Sequence, residues 1–171
     1  MLVLLRGLAL IAATLTTGLM AGVFSLYAHT MPGLGRTDDR TFVGAFQSID
    51  RAVINPLFIA TFVGALVFTG VAALLHLGAD GRAALPWIVA ALLLYLMTFL
   101  ITITINVPLN DGIKAAGSPG RIDDLAAVRA RFSEARWIRW NLVRTVTTTV
   151  AFGCLIWALV QYGHTLPRSG V

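Results

Sequence analysis

The segment Ala135–Arg144, Ala-Arg-Trp-Ile-Arg-Trp-Asn-Leu-Val-Arg, holds the side chains best suited to chemistry. On a helix Trp137, Trp140, Asn141 and Arg144 fall at i, i+3, i+4 and i+7, so they share one face. Two indoles offer stacking surface, a carboxamide offers a donor and an acceptor, and a guanidinium offers charge to an anion. Trp and Arg also favour the headgroup level of a bilayer, so the face reads as an interfacial anchor as well. Asn141 and Arg144 favour the reading as one wall of a polar site, because they point onward into an apolar run.

The elements that must position this face are membrane helices. Of 171 residues 57% are hydrophobic and 12% charged, and mean hydropathy is +0.81, far too little charge for an ordinary soluble domain. Apolar runs long enough to span a bilayer cover about 5–28, 54–77, 84–106 and 138–162. Continuous runs argue against a membrane β-barrel, whose strands alternate. The expected fold is all-α: one domain over 1–171, an antiparallel bundle of four transmembrane helices. Short amphipathic interfacial helices are expected at about 39–53, in the 1–2 loop, and at about 123–136, in the 3–4 loop. The first run begins like a signal peptide, but Leu26-Tyr27-Ala28 is a poor cleavage site, so it is expected to be retained.

Local signals set the boundaries. Met31-Pro-Gly-Leu-Gly35 reads as the stop of the first helix. Thr37 or Asp38 can cap the first amphipathic helix, Asn55 the second span with Pro56 in its first turn, and Asp123 the second amphipathic helix. Gly78-Ala-Asp-Gly81 reads as a tight turn. Gly64 and Gly70 read as marks of close packing. Pro108 is expected to end the third span. No Gly or Pro interrupts 121–152, so the following helix either runs into the fourth span or kinks near Ser133-Glu134. Tyr95, Thr98, Thr102 and Asn106 recur every three to four residues and should face the bundle interior.

An antiparallel arrangement sorts the polar residues by membrane face. One face, the mouth, collects His29, Gln47, Asp50, Asn55, Asn106, Asn110, Trp137, Trp140, Asn141 and Arg144. The other holds Arg6, His76, Asp80, Arg82, His164 and Arg168, with His76 and His164 near an exposed edge. Arg144 lies inside the bilayer, where a charge costs about 2.5–3.5 kcal/mol, so Asp50 or a bound anion is expected to compensate it. His29 is the mouth group that titrates near neutral pH.

Several function classes are excluded. Cys154 is the sole cysteine, so disulfide exchange has no Cys pair. The His and acidic residues are too few and too scattered for a zinc, di-iron or bis-histidine haem site. There is no phosphate loop and no nucleophile elbow. The net charge of +5 lies in loops and reads as membrane orientation, not nucleic-acid binding.

The histidine that follows Gly18-x-x-x-Gly22, Phe46-Gln-Ser-Ile-Asp50 with Asn55-Pro56, Asn106-Val-Pro-Leu-Asn110 and Trp137-x-x-Trp140-Asn141-x-x-Arg144 together resemble the anthrone oxygenase-like family of small four-helix membrane proteins. The resemblance covers about 5–162. It implies oxidation of a lipophilic polycyclic phenol or ketone by dioxygen as co-substrate, with no metal, flavin or other cofactor. On that reading His29 removes a proton, Asn106, Asn141 and Arg144 stabilise the resulting oxyanion, and Gln47, Asp50, Asn110, Trp137 and Trp140 bind the substrate. The other reading is a non-catalytic protein that binds a lipid or quinone, or assists a partner complex. A transporter is a weaker third, for want of an inverted repeat.

The expected partners are the lipid bilayer and a lipophilic aromatic small molecule or quinone. Gly18 and Gly22 form a small-residue face suited to self-association. Basic residues concentrate in the loops on the mouth side, which places the mouth in the cytoplasm and both termini outside a bacterial inner membrane.

Overall fold

A computed structural model describes residues 1–78 and 81–165; the expectations placed on Asp80 and Arg168 lie outside the described residues. The described residues are helical, with no strand among them. Four segments are long and apolar enough to cross a membrane: Leu2–Leu34, Pro56–Leu75, Leu85–Ala115 and Leu125–Thr165. α1 (Leu2–Leu34) packs on α3 (Pro56–Leu75) and on α7 (Glu134–Thr165). α4 (Leu85–Ile101) packs on α7 and on α3, which closes the ring of four.

α2 (Asp39–Val53) occupies the expected amphipathic span. Its cap is Asp38, whose carboxylate accepts the Thr41 backbone N–H at 3.0 Å and the Thr41 hydroxyl at 2.6 Å. Both bonds favour the charged carboxylate and hold its pKa below the ordinary value. Asn55 caps α3 by accepting the Phe58 N–H at 3.0 Å, with Pro56 in the first turn.

Three boundaries differ from expectation. α1 runs through Pro32 to Leu34, because a proline in the last turn forfeits only one backbone bond. Pro108 does not end the third span. A π-helical turn, Thr102–Asn106, follows α4, and the Val107 N–H returns to Thr102 O across five residues. α5 (Val107–Ala115) then carries Pro108 in its first turn, where no donor is needed. The short α6 (Leu125–Phe132) is capped by Asp124, not Asp123, through the Ala127 N–H at 2.8 Å. It breaks from α7 at Ser133, whose φ of 53° is left-handed, one of the two expected alternatives.

Arg129 clasps the mouth-side loops. It donates to Gly35 O at 2.7 Å and Thr37 O at 2.9 Å, pairs with Asp39 and Glu134 at 3.0 Å each, and lies 4.2 Å over the Phe42 ring. A Cβ at Gly35 would meet the carboxylate end of the Glu134 side chain, which would have to shift to admit it. Below the clasp Met31, Phe42, Val43, Phe46, Ile113, Phe132 and Trp137 form a buried cluster.

The expected interior stripe of the third span is observed: Tyr95, Thr98, Thr102 and Asn106 are all buried. Tyr95 donates to Phe62 O at 2.9 Å, and the Thr98 hydroxyl meets those of Thr147 and Thr148 at 2.7 and 3.1 Å. Gly64 stands at ordinary contact distance from Thr16 of α1, its tightest neighbour being Phe68 of its own helix, and Gly70 and Gly22 face open space. Gly18 lies against Phe152 of α7, so that half of the small-residue face is used inside the chain.

At the far end His76 is fully buried, contrary to its expected exposed edge. Its Nδ1 lies 2.7 Å from Ala72 O and its ring meets Tyr162 edge to face. Arg6 is buried too and donates to Leu75 O at 2.7 Å.

Candidate functional site

The π turn decides the geometry of the mouth. It adds one residue to the turn and aims both Thr102 and Asn106 inward, where α4 meets α7. π turns inserted in α-helices recur at functional sites. Facing them from α7 are Trp137, Asn141 and Arg144, all buried, at i, i+4 and i+7. From α1 come Phe24 and Tyr27, and from the end of α2 comes Asp50.

These elements enclose a cavity of about 150 Å³. Arg144, Asp50, Tyr27, Thr102, Asn106, Asn110 and Trp137 supply its polar lining, and Phe24, Phe58 and Phe62 are among its apolar walls.

Arg144 is the focus. Its Nη2 donates to Asn141 Oδ1 at 2.9 Å and its Nη1 to Thr102 Oγ1 at 3.3 Å. Its guanidinium lies 4.5 Å over the Phe24 ring and 5.6 Å from the centre of the Trp137 ring. Among the described residues no carboxylate pairs with it, and its buried Nε has no hydrogen-bond partner. Asn106 Oδ1 is likewise buried without a partner. A buried guanidinium without a counter-ion carries a desolvation penalty of several kcal/mol. An anionic or partly anionic ligand in the cavity would offset it.

Asp50 does not provide that offset, contrary to expectation. Its Oδ1 accepts from Asn110 Nδ2 at 2.7 Å, and its Oδ2 stands 2.8 Å from Lys114 Nζ. Asn110 Oδ1 in turn accepts from Trp137 Nε1 at 2.7 Å. A chain of polar contacts therefore runs from exposed Asp111 through Lys114, Asp50 and Asn110 to the indole of Trp137. The cavity thus carries a cation held by neutral groups and, on another wall, a carboxylate whose charge is already balanced.

Six of the nine residues singled out in the sequence gather at this cavity as one constellation. Asn106, Asn110, Asp50, Trp137 and Arg144 line it directly, and Asn141 braces Arg144 while donating to Phe24 O at 3.1 Å. Gln47 is buried but faces elsewhere: its Nε2 donates to Ile113 O at 2.7 Å and Gly117 O at 3.0 Å, which ties α2 to the end of α5. Trp140 is half-buried one step around α7, outside the cavity lining.

His29 is the chief departure. It is exposed, and its Nδ1 lies 2.7 Å from Ser25 O of its own helix. The stripe Thr17, Ala21, Ser25 and His29 rotates away from the interior as it approaches the mouth. The inward stripe is Met20, Phe24, Tyr27 and Met31, at the same helical spacing. That stripe was visible in the sequence and would have nominated Tyr27. Thr102 was legible as part of its own stripe, whereas nothing in the spacing marked Lys114 as the partner of Asp50.

Among the described residues no three His, Cys, Asp or Glu side chains lie together as metal ligands would. Neither a curated protein nor a solved structure matches the chain. A family model described as anthrone oxygenase matches residues 51–154, a stretch that contains Asn106, Asn110, Trp137, Asn141 and Arg144.

Proposed function

Because this chain belongs to the anthrone oxygenase family, we propose that it is an oxygenase-type membrane protein that oxidises a lipophilic phenol or enolisable ketone, polycyclic ones included, with dioxygen. The observation that carries this reading is Arg144: buried, without a carboxylate partner among the described residues, and lining a cavity that also holds Asp50. An oxyanion generated in the cavity would accept hydrogen bonds from the guanidinium where little water competes. Asn141 and Thr102 position that group, Trp137 and Phe24 offer ring faces to a flat molecule, and the free Asn106 Oδ1 can accept a substrate hydroxyl.

Asp50 takes the role of base that the resemblance implied for His29, since it lines the cavity and His29 does not. It removes a proton from the methylene conjugated with the substrate carbonyl through the ring, and the C–H electron pair is delocalised onto the carbonyl oxygen, which faces Arg144 as a phenolate-like anion. The electron-rich anion reacts with dioxygen directly, without metal or flavin. For a ketone such as anthrone the methylene and dioxygen become a carbonyl and water, so one oxygen atom stays in the product; for a hydroquinone, dioxygen takes two electrons and two protons to give the quinone and hydrogen peroxide. The protein works from within a bacterial inner membrane, with the mouth toward the cytoplasm.

The test is dioxygen uptake by the protein in lipid nanodiscs, with anthrone and an alkyl hydroquinone as trial substrates. Uptake that depends on the protein and is lost in Arg144→Gln and Asp50→Asn supports the reading. Tight binding of either compound with no uptake overturns it in favour of a non-catalytic lipid or quinone binder.

A further inference from the structure

We propose that the ligand of the Arg144 cavity carries an apolar arm, an alkyl or prenyl chain, which lies in a lipid-facing groove between α1, α2 and α3. This rests on the reading of the cavity given above and names the class of molecule it takes.

The argument begins with size. A cavity near 150 Å³ accommodates about one benzene-sized ring, so the Arg144 cavity holds one oxygenated ring, and the remainder of any larger ligand, fused rings included, must lie beyond it. Directly beside it is a groove of about 510 Å³, within the range of about 300–1,000 Å³ typical of sites for larger ligands. The two volumes share four wall residues, Val23, Tyr27, Val53 and Phe58, so a single layer of side chains separates them.

The groove also has the right chemistry and the right address. Leu19, Leu26, Ile49 and Leu57 line it and are 57%, 63%, 45% and 72% exposed. They lie at the depth of membrane-crossing helices or beside it, where exposure means contact with lipid. Arg144 does not line the groove, nor does any acidic residue. An amphiphile that arrives along the bilayer would slide its arm between α1 and α3. Rotation of the half-buried Tyr27 and Phe58 would admit the ring to the guanidinium while the arm stays outside. A chain in the groove exchanges lipid contacts for ordered protein contacts, so its contribution comes from fit.

The test compares a dimethoxy-methyl-benzoquinone head with the same head bearing a ten-carbon chain. Each is titrated as a mole fraction of nanodisc lipid, so that membrane partition of the chain cancels, and binding is read from the rise in melting temperature. Wild-type protein should bind the tailed probe about tenfold more tightly than the bare head, a difference of about 1.4 kcal/mol. The double variant Leu19→Phe/Leu26→Phe narrows the groove at exposed positions, and its unliganded melting temperature should match wild type. In it the tailed probe should lose that advantage, with the bare head unchanged. Equal affinity of the two probes for wild type, an unaltered advantage in the variant, or an equal loss for both probes overturns the proposal. Arg144→Gln is the separate check on the underlying site. It should weaken both probes alike; if it weakens neither, the cavity reading fails whatever the groove variant does.

Discussion

The two ends of the bundle each bury an arginine, and they treat it differently. At the far end Arg6 donates to Leu75 O, Tyr162 donates to Val3 O, and His76 meets Ala72 O. Main-chain carbonyls at helix ends lie against these side chains, and the Arg6 and Tyr162 bonds tie α1 to α3 and α7. At the mouth Arg144 is held by side chains, Asn141 and Thr102, beside a cavity, with Nε left over. The first arrangement uses polarity to fix helix ends. The second leaves a buried donor without a partner on a side chain that lines an open volume, an imbalance that a purely structural contact avoids. Residue type and burial are alike at the two ends; the open volume beside Arg144 is what sets the mouth apart.

The largest effect should come from Asp50→Asn, which removes the proposed base while keeping shape. Turnover should fall by about 10²–10⁴-fold, the usual range for a lost general base, with binding of the bare quinone head nearly intact. Retained turnover would move the base elsewhere. Arg144→Gln should follow, with a loss of about 10²–10³-fold in turnover. Its stability is the sharper readout: removing an uncompensated buried charge should leave the melting temperature unchanged or higher. A large drop would make Arg144 a structural residue like its counterpart at the far end.

Arg6→Gln should do the reverse. The half-buried Leu75 carbonyl loses a charged donor, which costs about 1–3 kcal/mol of stability, while turnover and probe affinity hold. Thermal unfolding in nanodiscs, run beside the uptake assay, checks both halves. If Arg6→Gln abolished turnover with the fold intact, the division between the two ends would collapse.

What could be read from the sequence follows the same division. Features fixed by one helix's own periodicity were legible: the four spans, the amphipathic α2 with its Asp38 cap, the Asn55-Pro56 start and the inward stripe from Tyr95 to Asn106. Trp137, Asn141 and Arg144 share a face because their spacing says so. Features that depend on how one helix is rotated against another were not. His29 and Tyr27 sit two residues apart on α1, and only the packing of Met20 and Phe24 against the bundle decides which turns inward. Pro108 reads as a stop unless the preceding turn widens, and the pressure for a π turn lies in tertiary packing around Thr102 and Asn106. Gln47 looked like a ligand group and instead satisfies two carbonyls at the end of α5, a use that no local pattern announces.

A smaller effect tests whether the mouth-side loops are independent of the cavity. Asp38 has a depressed pKa because Thr41 hydrogen-bonds its charged form. Its folded value lies below its unfolded one, near about 3.9. The cap therefore contributes fully above that value and is lost as pH falls through the folded pKa. In Asp38→Asn the cap persists without the charge, so the acid-side decline in melting temperature should be shallower than in wild type. Turnover near neutral pH should be unaltered, because Asp38 lies outside the cavity lining. An identical acid decline in both proteins would remove Asp38 as its source.

The smallest expected effect is the most discriminating. His29→Ala alters an exposed side chain whose Nδ1 contact is the Ser25 carbonyl of its own helix. Stability should stay within roughly 0.5 kcal/mol of wild type, as for other surface changes, and turnover should be normal. The family resemblance by itself implied that this imidazole is the base; the orientation of α1 implies that it is a bystander. Loss of turnover in a stable His29→Ala protein would require α1 to rotate or its end to unwind during the reaction, bringing His29 to the cavity. In that event the packed arrangement of Met20, Phe24 and Tyr27 would be a resting state. A normal rate leaves Asp50 as the acceptor facing the ring, and the Asp50→Asn result then bears on the chemistry alone.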